Sequence, residues 1–231
     1  MNDVIHGAKG LPLDRYSANM TEIVVRCQQA GIKVVLFTTT TAGAWDSEQT
    51  RRLGEYSAFL RGLAMKRKCV LIDLYPAFVG ALKKADTLRG LTGDGVHMTP
   101  EGDQLIARTV LAGLGLGEAQ LDKARETWLD LPGAGAVRAR VDIEMNKKFF
   151  ATGCVLTLRQ RERLLDAAAA AKRPTLNHWA KDLLHSLMKR KVKPAGSYES
   201  MDALFAPEAK AKVEAELQQE FAAEIARITA R

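Results

Sequence analysis

The sequence predicts an α/β domain over residues 1–117 followed by a mostly helical extension over residues 118–231. Three observations carry that division. Two short runs rich in β-branched residues, Ile32 to Phe37 and Cys69 to Leu74, read as strands buried on both faces of a parallel sheet. Between them, Leu53, Tyr56, Leu60 and Leu63 recur at helical spacing over about 47–66, which makes the whole a right-handed βαβ unit. The glycines at 113, 115 and 117 mark the boundary, and beyond them the character of the chain changes.

The elements follow in order. Tyr16, Met20, Ile23, Val24 and Cys27 mark an amphipathic helix over 15–30, and Gly31 stands where a helix C-terminal glycine belongs. A threonine run, Thr38 to Thr41, leads from the first strand into a loop over 42–46. A short helix is expected after Pro76. The glycines of Leu91-Thr-Gly-Asp-Gly-Val-His-Met-Thr-Pro-Glu-Gly-Asp103 mark a loop. Thr99 then stands as a helix N-cap, Pro100 as the first helical residue, and Glu101 and Asp103 as first-turn acids. In the extension, Leu121, Ala124, Arg125 and Trp128 suggest a helix ended by the Leu-Pro-Gly at 131–133. Val137 to Glu144 alternates as a strand would, yet Val137, Val141, Met145 and Phe149 also fit a helix, so both assignments stay open. Helices are expected over 159–171, after Thr175, and from Pro207 with Val213, Leu217, Phe221, Ile225 and Ile228 along one side.

Hydrophobic residues make up 47% and charged residues 26% of the 231, as in ordinary globular proteins. No apolar run approaches the roughly 18 residues that span a bilayer. The cysteines Cys27, Cys69 and Cys154 are widely spaced and read as buried thiols. The net charge of +7 is uneven: residues 151–193 hold ten Lys/Arg against three Asp/Glu, and residues 199–231 hold seven acids against four bases. Two solvated faces that touch each other are the expected reading, and nucleic-acid binding through 151–193 is the sharper, less expected one.

Asp94 and His97 form D-x-x-H in a loop before a helix. A histidine base needs one ring nitrogen free for the nucleophile's proton and the other held by a carboxylate, and a three-residue offset in a turn can let the Asp side chain reach back to the ring. Alone this pattern is a weak signal. The longer string Asp94-Gly-Val-His-Met-Thr-Pro-Glu-Gly-Asp-Gln-Leu-Ile-Ala107, however, resembles the last block of the SGNH (GDSL-type) ester hydrolases. Met1-Asn2-Asp3-Val4 is similar to the end of that family's G-x-N-D block, and residues 4–97 repeat the family's order of elements.

The resemblance implies a flavodoxin-like three-layer α/β fold, incomplete at the N-terminus, and a serine esterase with no metal or organic cofactor. It implies His97 as general base, Asp94 as its orienting acid and Asn2 as an oxyanion-hole donor. Met98 stands where the family usually carries leucine. The implied substrates are small acyl or acetyl esters.

The family's nucleophile block and oxyanion-glycine block have no counterpart here. None of the six serines, Ser17, Ser47, Ser57, Ser186, Ser197 and Ser200, stands in G-D-S or G-x-S-x-G. The expectation is therefore that Met1 is an internal methionine of a longer protein and that the isolated chain is inactive. Residues 1–30 hold no secretory signal, but the compartment stays unassigned because a signal could precede them. The oligomeric state is likewise unassigned. A non-catalytic interaction protein working through the helical extension is the other alternative. Trp45 and Asp46 stand at the sheet's C-terminal edge as either packing or substrate-contact residues. His6 reads as a solvated loop residue, and His178 and His185, seven apart beside no acidic cluster, argue against a metal site.

Overall fold

The computed structural model describes residues 1–84, 90–131, 133, 135–143, 148–192 and 205–230. The chain divides into two compact units, Met1–Ala124 and Arg125–Arg231.

The first unit opens with a single helical turn, α1 (Asn2–Ile5), and a short 3-10 turn. Helix α2 (Leu13–Gln29) ends in a Schellman motif: Gly31, at φ +74°, donates to the Gln28 carbonyl, and the Ile32 N–H donates to the Cys27 carbonyl at 2.9 Å. Strand β1 (Val35–Phe37) and strand β2 (Val70–Ile72) pair in parallel, Val35 opposite Val70 and Phe37 opposite Ile72. Helix α3 (Glu48–Arg67) makes the crossover. It starts on the side chain of Ser47, which accepts the Thr50 N–H, and buries Leu53, Tyr56, Leu60 and Leu63. Helix α4 (Leu74–Leu82) and helix α5 (Pro100–Gly113) complete the layers, α5 packing against β2. Helix α6 (Glu118–Leu129) begins on ion pairs from Arg108 to Glu118 and Asp122.

Three details differ from the sequence reading. Both strands are three residues long, because Ile32 and Cys69 lie in the turns that leave α2 and α3, and Leu74 already opens α4. Pro76 falls within the first turn of α4, where no intrahelical N–H bond is lost. The strands are covered on one side only. Leu36 and Ile72 are buried, whereas Val35, Phe37 and Val70 are 38%, 44% and 48% exposed. The helices of this unit cover one face of the two-stranded sheet, so the other face keeps apolar side chains in water. The first unit is accordingly an α/β layer arrangement around a two-stranded parallel sheet, and the second is mostly helical around a two-stranded ribbon.

The second unit resolves the open assignment at 137–144 in favour of a strand. Strand β3 (Gly135–Ile143) pairs antiparallel with strand β4 (Lys148–Leu156), Arg138 opposite Gly153 and Arg140 opposite Ala151. The alternation decides it: Val137, Ala139 and Val141 are buried, and Arg138, Arg140 and Asp142 are exposed. Met145, which a helix would have needed, lies outside the described residues. Helix α7 (Leu158–Ala170) starts on a capping box of Thr157 and Gln160, helix α8 (Leu176–Val192) follows, and helix α9 (Pro207–Thr229) closes the unit. Leu164, Leu165, Leu184, Leu187, Leu217, Phe221 and Ile225 form their buried faces together with Phe150. Thr229, not Ile228, occupies the last inward position of α9. The basic segment and the acidic helix do touch, through Lys191 to Glu216 at 2.8 Å and Glu220 at 2.6 Å. Among the described residues no helix is long and apolar enough to cross a membrane. The three cysteines are half-buried rather than buried, and none is disulfide-bonded.

Candidate active site

The D-x-x-H loop is closed at its base by two main-chain bonds. Thr99 donates to the Leu91 carbonyl at 3.0 Å, and Gly93 donates to that of His97 at 2.9 Å. Thr99 also caps α5, its hydroxyl oxygen accepting the Gly102 N–H, as the Thr-Pro-Glu pattern predicts. Within this frame Asp94 folds back on its own turn. Its Oδ1 accepts the N–H groups of Val96 at 3.0 Å and His97 at 2.8 Å, and its Oδ2 lies 2.7 Å from His97 Nδ1. The main-chain bond from His97, then its ring, then the Val96 N–H hold the Asp94 carboxyl far below the ordinary carboxylate range.

With an ionised carboxylate on Nδ1, the neutral ring carries its proton there and presents Nε2 as a proton acceptor. The His97 side chain is 85% and the Asp94 side chain 58% exposed, so the dyad is open to solvent. A histidine so oriented and so accessible can take a proton from an incoming hydroxyl, but in the open it lacks the water exclusion that strengthens such chemistry.

The dyad loop is fastened to the loop after β1. Gly43 donates to the Gly95 carbonyl at 2.8 Å, and both glycines have positive φ. Gly95 is favoured there by its φ of +89°, and a Cβ on it would also stand a tight 3.3 Å from the Gly43 backbone. Next to Gly43, Ala42 is buried in a cluster with Val4, Leu53 and Tyr56. Val4, in the same turn as Asn2, packs with Ala42, and Gly43 beside it holds the dyad loop. Asn2 itself is exposed on α1 and, among the described residues, no hydrogen bond links it to Asp94 or His97. Its neighbour Asp3 has a building role. Asp3 Oδ1 accepts the Leu11 N–H at 3.1 Å, and its carbonyl lies against Gly10.

No described serine bonds to His97. Ser47 caps α3 and donates to the Ala42 carbonyl. Ser57 is fully buried, its Oγ 2.9 Å from Thr39 Oγ1, and Ser17 and Ser186 lie on α2 and α8. Ser197 and Ser200 lie outside the described residues. Trp45 is 43% exposed, with the Lys83 ammonium 4.6 Å from its ring centre, so it is not a core residue.

Sequence reasoning missed a polar lock where the two strands end. Asp73 accepts a two-pronged contact from Arg61 at 2.7 and 2.9 Å and a bond from the Thr38 hydroxyl at 2.8 Å; Thr38 Oγ1 in turn accepts the Tyr75 N–H at 3.0 Å. Burial opposes ionisation of Asp73, but the bonds from Arg61 and Thr38 outweigh it and lower its pKa. The signal was an aspartate closing the otherwise apolar Cys69 to Leu74 run. The hydroxyl of Thr40, two residues on from Thr38, is buried without a partner among the described residues.

Residues 1–105 match the model of the GDSL-like lipase/acylhydrolase family. No curated protein matches the chain. Among solved structures, it is similar to Axe2, an acetylxylan esterase from Geobacillus stearothermophilus, at 22% identity over 50% of this chain and 56% of that one, with a TM-score of 0.46. The acetyl xylan esterase AlAXEase matches at 31% identity over 49% of this chain and 63% of its own, with a TM-score of 0.45. LAE5, an α/β hydrolase enzyme from the metagenome of Lake Arreo in Spain, matches at 24% identity over 49% and 56%, also with a TM-score of 0.45. The chain thus spans little more than half the length of two of these proteins and under two thirds of the third. Over residues 1–105, this chain is similar to the GDSL-like lipase/acylhydrolase family.

Proposed function

We propose that this segment supplies the general base, its orienting acid and one oxyanion donor of a serine ester hydrolase that cleaves small acyl or acetyl esters. The observation that carries the reading is the 2.7 Å contact between His97 Nδ1 and Asp94 Oδ2, set in a loop whose turn is made by the same carboxylate. In the proposed reaction a serine hydroxyl attacks the acyl carbon while His97 Nε2 takes its proton. The imidazolium so formed is stabilised by Asp94 and then gives the proton to the leaving alkoxide. Water repeats the sequence on the acyl-enzyme. The Asn2 side-chain N–H would stabilise the tetrahedral oxyanion, a contact worth on the order of 10²–10³ in rate in such sites.

No described serine meets His97, so the nucleophile is proposed to come from sequence upstream of Met1, and the 231-residue chain alone is proposed to be inactive. The test has two arms. The chain is assayed on 4-nitrophenyl acetate beside His97→Ala, and the DNA upstream of the Met1 codon is translated in frame. The expected result is no His97-dependent turnover, with an upstream frame that encodes G-D-S and ends in Gly before Met1. Turnover that is lost in His97→Ala would overturn the inactivity. A stop codon close upstream would overturn the catalytic reading.

A further inference from the structure

From the outward face of the β3–β4 ribbon we infer a docking surface for double-stranded DNA. The inner face of the ribbon is fully used: Val137, Ala139, Val141, Phe150 and Leu156 are buried, and α8 and α9 pack on the strands. The outer face carries Ala136, Arg138, Arg140 and Asp142 on β3. Opposite them stand Val155, Gly153, Ala151 and Phe149 on β4. Cationic side chains thus rise from one strand beside a strand of small residues. A cavity of about 860 Å³ opens here, bordered by Arg138, Arg140, Gly153, Asn177, His178 and Lys181, and no carboxylate lines it.

This face combines exposed cations with a lining that holds no carboxylate. Some of the cations that the sequence gathers in 151–193 are already paired with carboxylates. Arg159 pairs with Glu126 and Asp130, Arg173 with Asp182, and Lys191 with Glu216 and Glu220, while Arg163 donates to the Thr229 carbonyl. Arg138 and Lys181 are exposed and have no carboxylate partner among the described residues. Arg140 is held upright by Asp142 at 2.6 Å and by the Phe149 ring at 3.8 Å from its guanidinium carbon. The polyanion-ready surface is therefore on the ribbon and the start of α8, drawing Arg138 and Arg140 from outside the segment singled out by composition and Lys181 from within it.

Shape selects among polyanions. Two strands about 5 Å apart and about 30 Å long fit the major groove of B-form DNA, which is about 12 Å wide. The deep, narrow major groove of A-form RNA does not admit them. Single strands are bound by exposed aromatic platforms, and here the one aromatic ring on the face, Phe149, is covered by Arg140. The small residues Ala136, Ala151 and Gly153 let the backbone of a partner approach closely. Three cations on phosphates imply a salt dependence with a log–log slope of about −3, at roughly −0.9 per phosphate.

The test is fluorescence anisotropy of the full chain with a labelled 20-base-pair DNA duplex of arbitrary sequence, between 50 and 200 mM NaCl. The expected result is saturable binding with that slope. Arg138→Gln combined with Lys181→Gln should weaken it at least fivefold at 50 mM and flatten the slope by about 2. Lys66→Gln, an exposed cation of the first unit, should leave it unchanged. Circular dichroism melting confirms that each variant is folded. Absence of binding at 50 mM would overturn the inference, as would an equal loss in Lys66→Gln or an unchanged double variant. Equal or tighter binding of an RNA duplex, or self-association that Arg138→Gln abolishes in sedimentation without DNA, would also overturn it.

Discussion

Replacing Asp73 by asparagine should loosen the ends of both strands of the first unit by about 2 kcal/mol. The magnitude comes from three bonds that converge on one carboxylate, two from Arg61 and one from the Thr38 hydroxyl. A hydrogen bond to a charged group contributes roughly 1.5–3 kcal/mol, and breaking one side of a buried ion pair costs roughly 3–5 kcal/mol. The side chains of Arg61 and Asp73 are 36% and 33% exposed, so solvent screening lowers the effect toward the roughly 0.2–1 kcal/mol of surface pairs. About 2 kcal/mol lies between these limits.

Asparagine keeps an oxygen for Thr38 but sets an amide against a guanidinium that cannot lose its proton. Hydrogen exchange of the Thr38 and Tyr75 amides reads this unit alone. Thr38 N–H donates to the Ile72 carbonyl at 3.0 Å, and Tyr75 N–H donates to Thr38 Oγ1. Where exchange follows the opening equilibrium, 2 kcal/mol corresponds to roughly thirtyfold faster exchange. Arg61→Met should produce a comparable change, and the double variant should be far from additive. Exchange within twofold of the parent, or full additivity, would refute the account of the lock.

Two further outcomes follow from the dyad loop. Gly102→Ala should disrupt the first turn of α5, since its Cβ would lie 2.2 Å from the Leu91 carbonyl oxygen that also accepts the Thr99 N–H. A loss of more than about 1 kcal/mol and faster exchange of the Thr99 amide are expected, and parent-like exchange would contradict the close packing. The second concerns pH. Because the folded state lowers the Asp94 carboxyl below its ordinary value of 3.8, its stabilisation is complete above that pH and fades as the pH falls toward the folded value. The stability difference between the parent and Asp94→Asn should therefore be constant at neutral pH and shrink below about pH 4. A difference that grows on acidification would show the sign to be wrong.

Much of this protein is legible in local chemistry. The Schellman end of α2, the threonine cap of α5 and the Asp94–His97 offset depend on residues within about five positions of one another, so spacing and side-chain type suffice to foresee them. The β-branched runs likewise locate β1 and β2, although their lengths do not follow from composition, because the neighbouring turns of α2 and α3 take the first residues of each run.

Other features needed the assembled chain. Alternation at 137–143 fits either a strand or a helix until β4 offers a partner in register, and only then do Arg138 and Arg140 share one open face. The Arg61–Asp73–Thr38 lock joins residues 12 and 35 positions apart, and nothing local marks them as partners. Charge is the clearest case. Composition places the basic surface in residues 151–193, but acids distant in sequence pair with Arg159 and Lys191, and Arg138 and Arg140 join Lys181 from outside the segment, because side-chain neutralisation is a property of proximity in space. The sequence determined the local turns, caps and the dyad; tertiary structure decided which strand faces stay open and which cations remain available.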